Sequence, residues 1–165
     1  TRVVRLAFAG SNEQPYQSVG RWLLDRGLIK DASWQGIKAW IVSTQQSNPR
    51  LVQEMLWSNP RYVFFREETR SAADADLGPR GAQGVPLTAG RSIAVDKDSI
   101  PYGAPVWLTS SGPNGNLQRL VFAQDTGSAI VGAVRADYFA GTGAEAGEYA
   151  GRMKQGLRLW VLWPK

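Results

Sequence analysis

Three aspartates stand in surroundings where an unpaired charge is costly. Asp125 and Asp137 lie within the segment 123–143, which is otherwise rich in small, apolar and glycine residues, and Asp96 ends the strand-like run Ser92-Ile-Ala-Val-Asp96. Because a buried charge without a partner is unfavourable, each carboxylate needs either a structural partner or a chemical role. An aspartate at a strand end or before Thr-Gly often accepts backbone amides and fixes a turn, so the structural interpretation stays open for each of them.

The composition restricts the chemistry that this chain can perform. Its 165 residues include no histidine and no cysteine. This excludes Ser-His and Cys-His nucleophile systems, disulfides, and the usual zinc sites with nitrogen or sulfur ligands. An enzyme built from this chain would depend on its 14 carboxylates, and the sequence predicts neither a metal ion nor another cofactor.

The net charge gives only weak information about binding partners. The net charge of +5 and the pI near 9.8 favour anionic partners, but the basic residues are scattered and no nucleic-acid-binding motif is present. We therefore expect no nucleic-acid partner. The chain begins at Thr1, without methionine and inside a strand-like run, which favours a processed or trimmed product.

The segment up to about Arg70 alternates strand and helix patterns. Three helices are predicted by cap residues at their starts, and a strand is predicted over 62–66. The caps are Ser18, Ser33 and Asn48, the last followed by Pro49 in the first helical turn. Trp22, Trp34 and Trp40 fall on apolar helical stripes, so we expect them to lie in the core rather than to stack on sugars.

The rest of the chain is dominated by short strand patterns. A polar stretch from Glu67 to Val85 predicts a linker or long loop. The strands that follow are predicted over 91–95, 105–108, 117–123, 129–134 and 157–162, with a hairpin turn at Ser111–Asn116. Strands at this spacing are typical of a small barrel or sandwich. One helix is predicted from a capping box, Thr142-Gly-Ala-Glu145, which would place its N-terminus near Asp137.

The tetrapeptide Asp125-Thr-Gly-Ser matches the signature of aspartic proteases. In those enzymes two such aspartates share a proton and activate a water molecule. This chain carries one copy of the tetrapeptide, so this interpretation requires a symmetric dimer.

The order and spacing of several motifs indicate a different family. The motifs are Ile-Ala-Val-Asp96, Ile100-Pro-Tyr-Gly, Gln-Asp125-Thr-Gly-Ser-Ala-Ile-Val-Gly, Arg-Ala-Asp137-Tyr-Phe and Gly141-Thr-Gly-Ala-Glu-Ala-Gly. This pattern closely resembles the three-aspartate (3D) domain of the membrane-bound lytic transglycosylase A (MltA) family. Upstream, Phe8-Ala-Gly-Ser-Asn, the segment 16–27 and Asn59-Pro-Arg-Tyr-Val-Phe-Phe resemble the part that precedes that domain. Val131 departs from the family, which often has lysine there.

The resemblance implies a fold and a cellular location. The expected fold is mainly β with helices: the C-terminal half of a double-psi β-barrel over 71–165 and part of an inserted α+β domain over 1–70, with glycan in the groove between them. Family enzymes are about twice this length, so the resemblance also implies a missing N-terminal fragment as a partner. It places the protein in the bacterial periplasm, associated with the outer membrane through an N-terminal anchor that this chain lacks.

The resemblance also implies an activity and site residues. Family enzymes cleave the β-1,4 bond between N-acetylmuramic acid and N-acetylglucosamine of peptidoglycan and leave a 1,6-anhydro sugar. The catalytic aspartate maps onto Asp137, and Asp125 and Asp96 map onto supporting positions. Weaker candidates for the sugar groove are Tyr16, Ser18, Gln124, Thr126, Gly127 and Tyr138.

A single carboxyl group is sufficient for this reaction because the substrate supplies its own nucleophile. Asp137 would act first as acid and then as base, and we expect Tyr138 and Phe139 to give it a dry environment. Two other functions remain open: a barrel that binds glycan without cutting it, and a hydrolase in which Asp125 and Asp137 act as a carboxylate pair.

Overall fold

The computed structural model describes residues 4–68, 77–113 and 115–164. The chain divides into two compact units, an N-terminal unit, Thr1–Glu68, and a C-terminal unit, Thr69–Lys165. Much of the predicted linker from Glu67 to Val85 lies outside the described residues, as does Asn114 in the predicted hairpin turn. Within the described ranges, no helix is long and apolar enough to cross a membrane.

Three short helices in the N-terminal unit begin at the predicted caps. They are α1 (Val19–Asp25), α2 (Trp34–Gln45) and α3 (Pro49–Trp57). The side chains of Ser18, Ser33 and Asn48 accept hydrogen bonds from backbone amides in the first turn of each helix. Because these amides have no partner within the helix, the caps stabilise each start, and the cap predictions are confirmed.

The helices enclose a small apolar cluster. Its buried members are Leu23, Ile37, Val52 and Met55, and the partly buried Trp22 and Trp40 pack against it. Trp34 does not join the cluster, so the prediction that it lies in the core is wrong: the residue is 63% exposed. It is the first residue of α2, at the end of the apolar stripe, and its ring lies instead beside Lys38, with Nζ 5.8 Å from the ring centroid.

A two-stranded antiparallel sheet completes the N-terminal unit. Strand β1 (Leu6–Ser11) pairs with β2 (Val63–Glu67), and Phe8 lies opposite Phe65. The predicted strand over 62–66 is therefore present, with its bounds shifted by one residue.

The C-terminal unit is built on a five-stranded mixed sheet, the curled half of a barrel. Its strands are β3 (Ser92–Val95), β4 (Pro105–Gly112), β5 (Gly115–Asp125), β6 (Ala136–Tyr138) and β7 (Leu157–Val161). Their order is β6-β3-β5-β4-β7, in which β3 and β5 are parallel and the other neighbours are antiparallel. The predicted hairpin is confirmed as β4 and β5, which extend further than the apolar pattern indicated.

Two predictions for the segments on either side of Asp137 are wrong. The segment predicted as a strand over 129–134 forms turns, because amides bond to nearby carbonyls (Ile130 to Gly127, Arg135 to Gly132) and Gly132 has φ 98°. The strand begins only at Ala136. The helix α4 (Ala144–Gly151) is present, but its N-cap is Gly143 at φ 93° and no side chain caps it, so the capping box at Thr142 does not form.

The core of the C-terminal unit lies on one face of the sheet. It includes the buried residues Ile93, Val95, Val106 and Val121, and Ala136 and Tyr138 pack against it from β6. Successive side chains of a strand point to opposite faces. Asp137, between Ala136 and Tyr138, therefore lies on the face away from this core.

Candidate active site

The strands bring two of the three aspartates to one surface. Ala94 of β3 pairs with Asp125 of β5 on one side and with Asp137 of β6 on the other. The register of β3 with β5 shifts between Ile93 and Ala94, so alternation along β5 does not by itself assign Asp125 to a face, but Asp125 and Asp137 line the same cavity. Neighbouring strands lie about 4.8 Å apart. The Cα atoms of Asp125 and Asp137 are therefore about 10 Å apart, with the small side chain of Ala94 between them.

A cavity of about 410 Å³ opens over this surface. Both aspartates line it, together with Leu87, Gly127, Tyr138 and Phe139. A volume of a few hundred Å³ is in the range of small-molecule and sugar subsites. The cavity is consequently the candidate active site of the C-terminal unit.

Among Asp96, Asp125 and Asp137, Asp137 has the most available carboxylate. Its side chain is 62% exposed, and Arg135 Nε lies 3.9 Å from Oδ1. Among the described residues, no hydrogen bond to this carboxylate is present. The expected dry environment is not found, because the ring of Tyr138 packs on the core side of β6 and its hydroxyl accepts a hydrogen bond from Arg119 at 2.9 Å.

Asp125 is held by the loop that precedes β3. Its Oδ1 accepts a hydrogen bond of 2.9 Å from the backbone amide of Ala82. The neighbouring Gln124 is fixed from two directions: its carbonyl accepts from the Gln83 amide, and its Oε1 accepts from the hydroxyl of the buried Ser92. One oxygen of Asp125 is thus occupied on a firmly anchored strand end.

Asp96 is tied to the backbone on both of its oxygens. Oδ1 accepts from the Asp98 amide at 3.0 Å, and Oδ2 accepts from the Gly132 amide at 2.7 Å. The bond from Gly132, followed by that from Asp98, lowers the pKa of Asp96 below its ordinary value because both stabilise the charged carboxylate. Asp96 thereby fastens the 126–135 segment, which carries one wall of the cavity, to the end of β3.

The predicted sugar-contacting residues fall into two groups. Gln124, Thr126, Gly127 and Tyr138 belong to the C-terminal unit, and the last three line the cavity. The Thr126 hydroxyl, however, donates to the Val95 carbonyl at 2.7 Å. Tyr16 and Ser18 belong to the N-terminal unit, where Tyr16 is 54% exposed and the Ser18 hydroxyl caps α1.

The described residues hold no group of three or more acidic, histidine or cysteine side chains arranged to bind a metal ion. The arrangement instead offers one exposed carboxyl group and one oriented carboxylate on a common surface. Such a pair can exchange a proton with a bound ligand and place negative charge near it.

Comparison with known proteins matches both units of the chain to models of one family. Residues 91–163 match the 3D domain, and residues 1–66 match the MltA specific insert domain. The two matches occur in the same chain and lie in its two compact units. The chain belongs to the MltA family.

Relatives of known name support the assignment. The membrane-bound lytic murein transglycosylase A of Escherichia coli K12 is 36% identical over 165 residues, which cover 94% of this chain and 42% of that protein. The solved structure of the Burkholderia pseudomallei lytic transglycosylase LtgG is 54% identical, with a TM-score of 0.59, and covers 97% of this chain and 47% of its own. The structure of E. coli MltA with bound chitohexaose is 31% identical, with a TM-score of 0.80, and the match covers 96% of this chain and 47% of that one. The chain thus spans less than half the length of these MltA-family relatives.

Three residues of this MltA-family site were not singled out by sequence reasoning. Ala94 and Ala82 carry no chemical signal in the sequence. Ala94 is a small residue between Asp125 and Asp137, and Ala82 acts through its backbone amide. Arg135 offered a signal, because it stands two positions before Asp137, and residues i and i+2 of a strand share a face.

Proposed function

We propose that this chain is the part of a lytic transglycosylase that carries its catalytic aspartate. The reaction cleaves the β-1,4 bond between N-acetylmuramic acid and N-acetylglucosamine and leaves a 1,6-anhydro end. The observation that supports it best is the difference among the three aspartates. Asp96 and Asp125 are engaged by backbone amides, whereas Asp137 presents an exposed carboxyl group at the cavity.

In the first step Asp137 acts as general acid. Its carboxyl proton passes to the glycosidic oxygen while the bond from that oxygen to C1 of the muramic residue breaks. In the second step the O6 hydroxyl of the same sugar attacks C1, and its proton returns to the Asp137 carboxylate. The enzyme regains its proton, and no water molecule is consumed.

We assign to Asp125 the stabilisation of the positive charge that develops on C1. Asp125 lines the same cavity as Asp137, with the two Cα atoms about two strand spacings apart. The Ala82 amide engages one of its oxygens, so the other remains to face a ligand in the cavity. A fixed negative group near a developing cation stabilises the transition state without reorganisation.

The other predicted residues keep graded roles in this proposal. Asp96 supports the site by holding the 126–135 segment through Gly132. Gly127, which lines the cavity, contacts the sugar directly, and Tyr138, whose ring packs on the core side of β6, borders the cavity. Thr126 lines the same cavity, Gln124 precedes Asp125 on β5, and Tyr16 and Ser18 remain candidate glycan contacts of the N-terminal unit.

The domain assignment and the partners are also proposals. We assign 1–70 to the inserted domain and 71–165 to part of a double-psi barrel. The β6 and β7 edges of the described sheet are unpaired, and an open edge offers backbone groups with which another strand can pair. Together with the greater length of the relatives, this supports a further segment that completes the barrel. Peptidoglycan strands are the proposed substrate and the periplasmic side of the outer membrane the proposed location, in keeping with the name of the E. coli relative.

The products that the chain, assayed together with the segment that completes its barrel, forms from purified peptidoglycan test the function. Mass spectrometry of the soluble fragments distinguishes anhydromuramyl ends from reducing ends, which differ by one water. Anhydro ends are expected. Reducing ends would instead favour a hydrolase that uses Asp125 and Asp137 as a pair, and the shared cavity of these residues is the observation that keeps this alternative. Retention on peptidoglycan without cleavage would favour a glycan-binding module.

A further inference from the structure

The loop over residues 78–87, hereafter the 78–87 loop, is folded back on itself. Arg80 forms an isolated β-bridge with Pro86, and the Leu87 amide donates to the Pro79 carbonyl at 2.8 Å. Its tip is a turn over 81–84, closed by a hydrogen bond of 2.9 Å from the Gly84 amide to the Gly81 carbonyl. The loop is therefore a defined element with its own backbone pairing.

The tip of this loop is seated on the end of β5. Two successive amides, Ala82 and Gln83, donate to two successive residues of the strand: the Asp125 carboxylate at 2.9 Å and the Gln124 carbonyl at 3.1 Å. The approach is close, because a Cβ atom on Gly81 would lie 2.3 Å from the Gln124 carbonyl oxygen. Contacts between real atoms do not become this short, so glycine is required for the seating.

The same loop reaches the cavity. Leu87, at its end, lines the pocket that contains Asp125 and Asp137, and it is 8% exposed. An element that only closed a turn would not need to donate to an acidic side chain at the candidate site. The hydrogen bond from Ala82 fixes one oxygen of Asp125 and thereby sets the direction of the other.

We propose that the 78–87 loop is a positioning element for Asp125, acting through the backbone amide of Ala82. The inference rests on the proposed function, in which Asp125 stabilises positive charge at C1. The amide holds the carboxylate in the orientation that the transition state needs. Its loss should slow the chemical step and leave substrate binding largely unchanged.

The chain offers a substitution that removes this amide and keeps the turn, while the proline Cδ takes the place of the amide hydrogen and displaces the Asp125 carboxylate. Ala82 occupies the second position of the 81–84 turn, where proline is favoured. Ala82→Pro deletes the N–H and retains the turn, whereas the matched control Ala82→Gly retains the N–H. The loss of a hydrogen bond to a charged group changes an equilibrium or rate constant by about tenfold or more. We therefore expect Ala82→Pro to lower kcat about tenfold with KM within about twofold, and Ala82→Gly to resemble the wild type.

A double-mutant comparison separates positioning from a general loss of structure. In an Asp125→Asn background the orientation of a carboxylate no longer matters, so Ala82→Pro should add little further loss of kcat. Equal kcat for Ala82→Pro and Ala82→Gly would overturn the proposal. So would an undiminished effect of Ala82→Pro in the Asp125→Asn background.

Hydrogen exchange tests the inference without depending on activity. The Ala82 amide should exchange at least about tenfold faster in Asp125→Ala than in the wild type, because its acceptor is gone. Asp137→Ala, the same change in the same cavity, should leave that rate unaltered. Equal rates in the two variants would contradict the positioning role. Absence of anhydro products from the wild-type chain, assayed together with the segment that completes its barrel, would instead contradict the proposed function.

Discussion

A single added methyl group at Gly81 should dislodge the 78–87 loop from β5. The Cβ atom of Gly81→Ala would lie 2.3 Å from the Gln124 carbonyl oxygen and 2.7 Å from Leu87 Cδ2. The carbonyl belongs to the strand backbone and cannot rotate away as a flexible side chain would. Overpacking of this kind costs about 1–3 kcal/mol. For a domain of about 100 residues, the size of the C-terminal unit, each kcal/mol lowers Tm by about 4–8 °C. We therefore expect Gly81→Ala to lower Tm by at least about 4 °C.

Gly147→Ala provides the matched control within the same unit. Gly147 lies inside α4, and its Cβ would meet nothing within 4 Å. Alanine is favoured over glycine in a helix by up to about 1 kcal/mol, so this variant should be as stable as the wild type or slightly more stable. Thermal unfolding followed by far-ultraviolet circular dichroism measures both. If Gly81→Ala unfolds at the same temperature as Gly147→Ala, the close seating of the loop is refuted.

Two further predictions concern stability. The pKa of Asp96 is lowered by the Gly132 and Asp98 amides, so its carboxylate stabilises the fold above the ordinary pKa of an aspartate and ceases to do so as the pH falls through the lowered value. The Tm difference between wild type and Asp96→Asn should therefore be largest near pH 7 and shrink as the pH falls below about 3.9, the ordinary pKa of an aspartate. A difference that does not depend on pH would contradict this. On α3, Met55 is 0% exposed, so Met55→Ala should lower the free energy of unfolding by about 2–5 kcal/mol. Its neighbour Leu56 is 52% exposed, so Leu56→Ala should lower it by less than about 1 kcal/mol. Urea unfolding measures both variants, and equal midpoints would place the core elsewhere.

Local signals in the sequence predicted local structure well. Ser18, Ser33 and Asn48 each cap a helix because a side-chain oxygen and a first-turn amide are only three residues apart. Such contacts need no information from the rest of the chain. The hairpin of β4 and β5 was predictable for the same reason, since its turn and its two strands are contiguous.

The two errors on the segments that flank Asp137 arose where glycine backbone geometry decided the outcome. The apolar run over 129–134 has the composition of a strand, but Gly132 at φ 98° turns the chain instead. At α4, Gly143 at φ 93° takes the N-cap position that the Thr142 hydroxyl was predicted to serve. Residue type alone does not show which glycine of a glycine-rich segment adopts a positive φ.

The arrangement of the site depended on tertiary pairing. The sequence identified the three aspartates as unusual and the family resemblance ranked them, but neither indicated which carboxylates would be engaged. That difference comes from amides far along the chain: Ala82 for Asp125 and Gly132 for Asp96. The parallel pairing of β3 with β5, which brings Ala94 between Asp125 and Asp137, is likewise a non-local contact.

The conversion of peptidoglycan by Asp137→Asn tests the central claim most directly. Asparagine retains the size of the side chain and removes the exchangeable proton of the carboxyl group. Because the Asp137 side chain is mostly exposed, the variant should keep the circular dichroism spectrum and Tm of the wild type. We expect a folded protein that releases no anhydromuramyl fragments detectable by mass spectrometry, and release at the wild-type rate would contradict the role of Asp137 as acid and base.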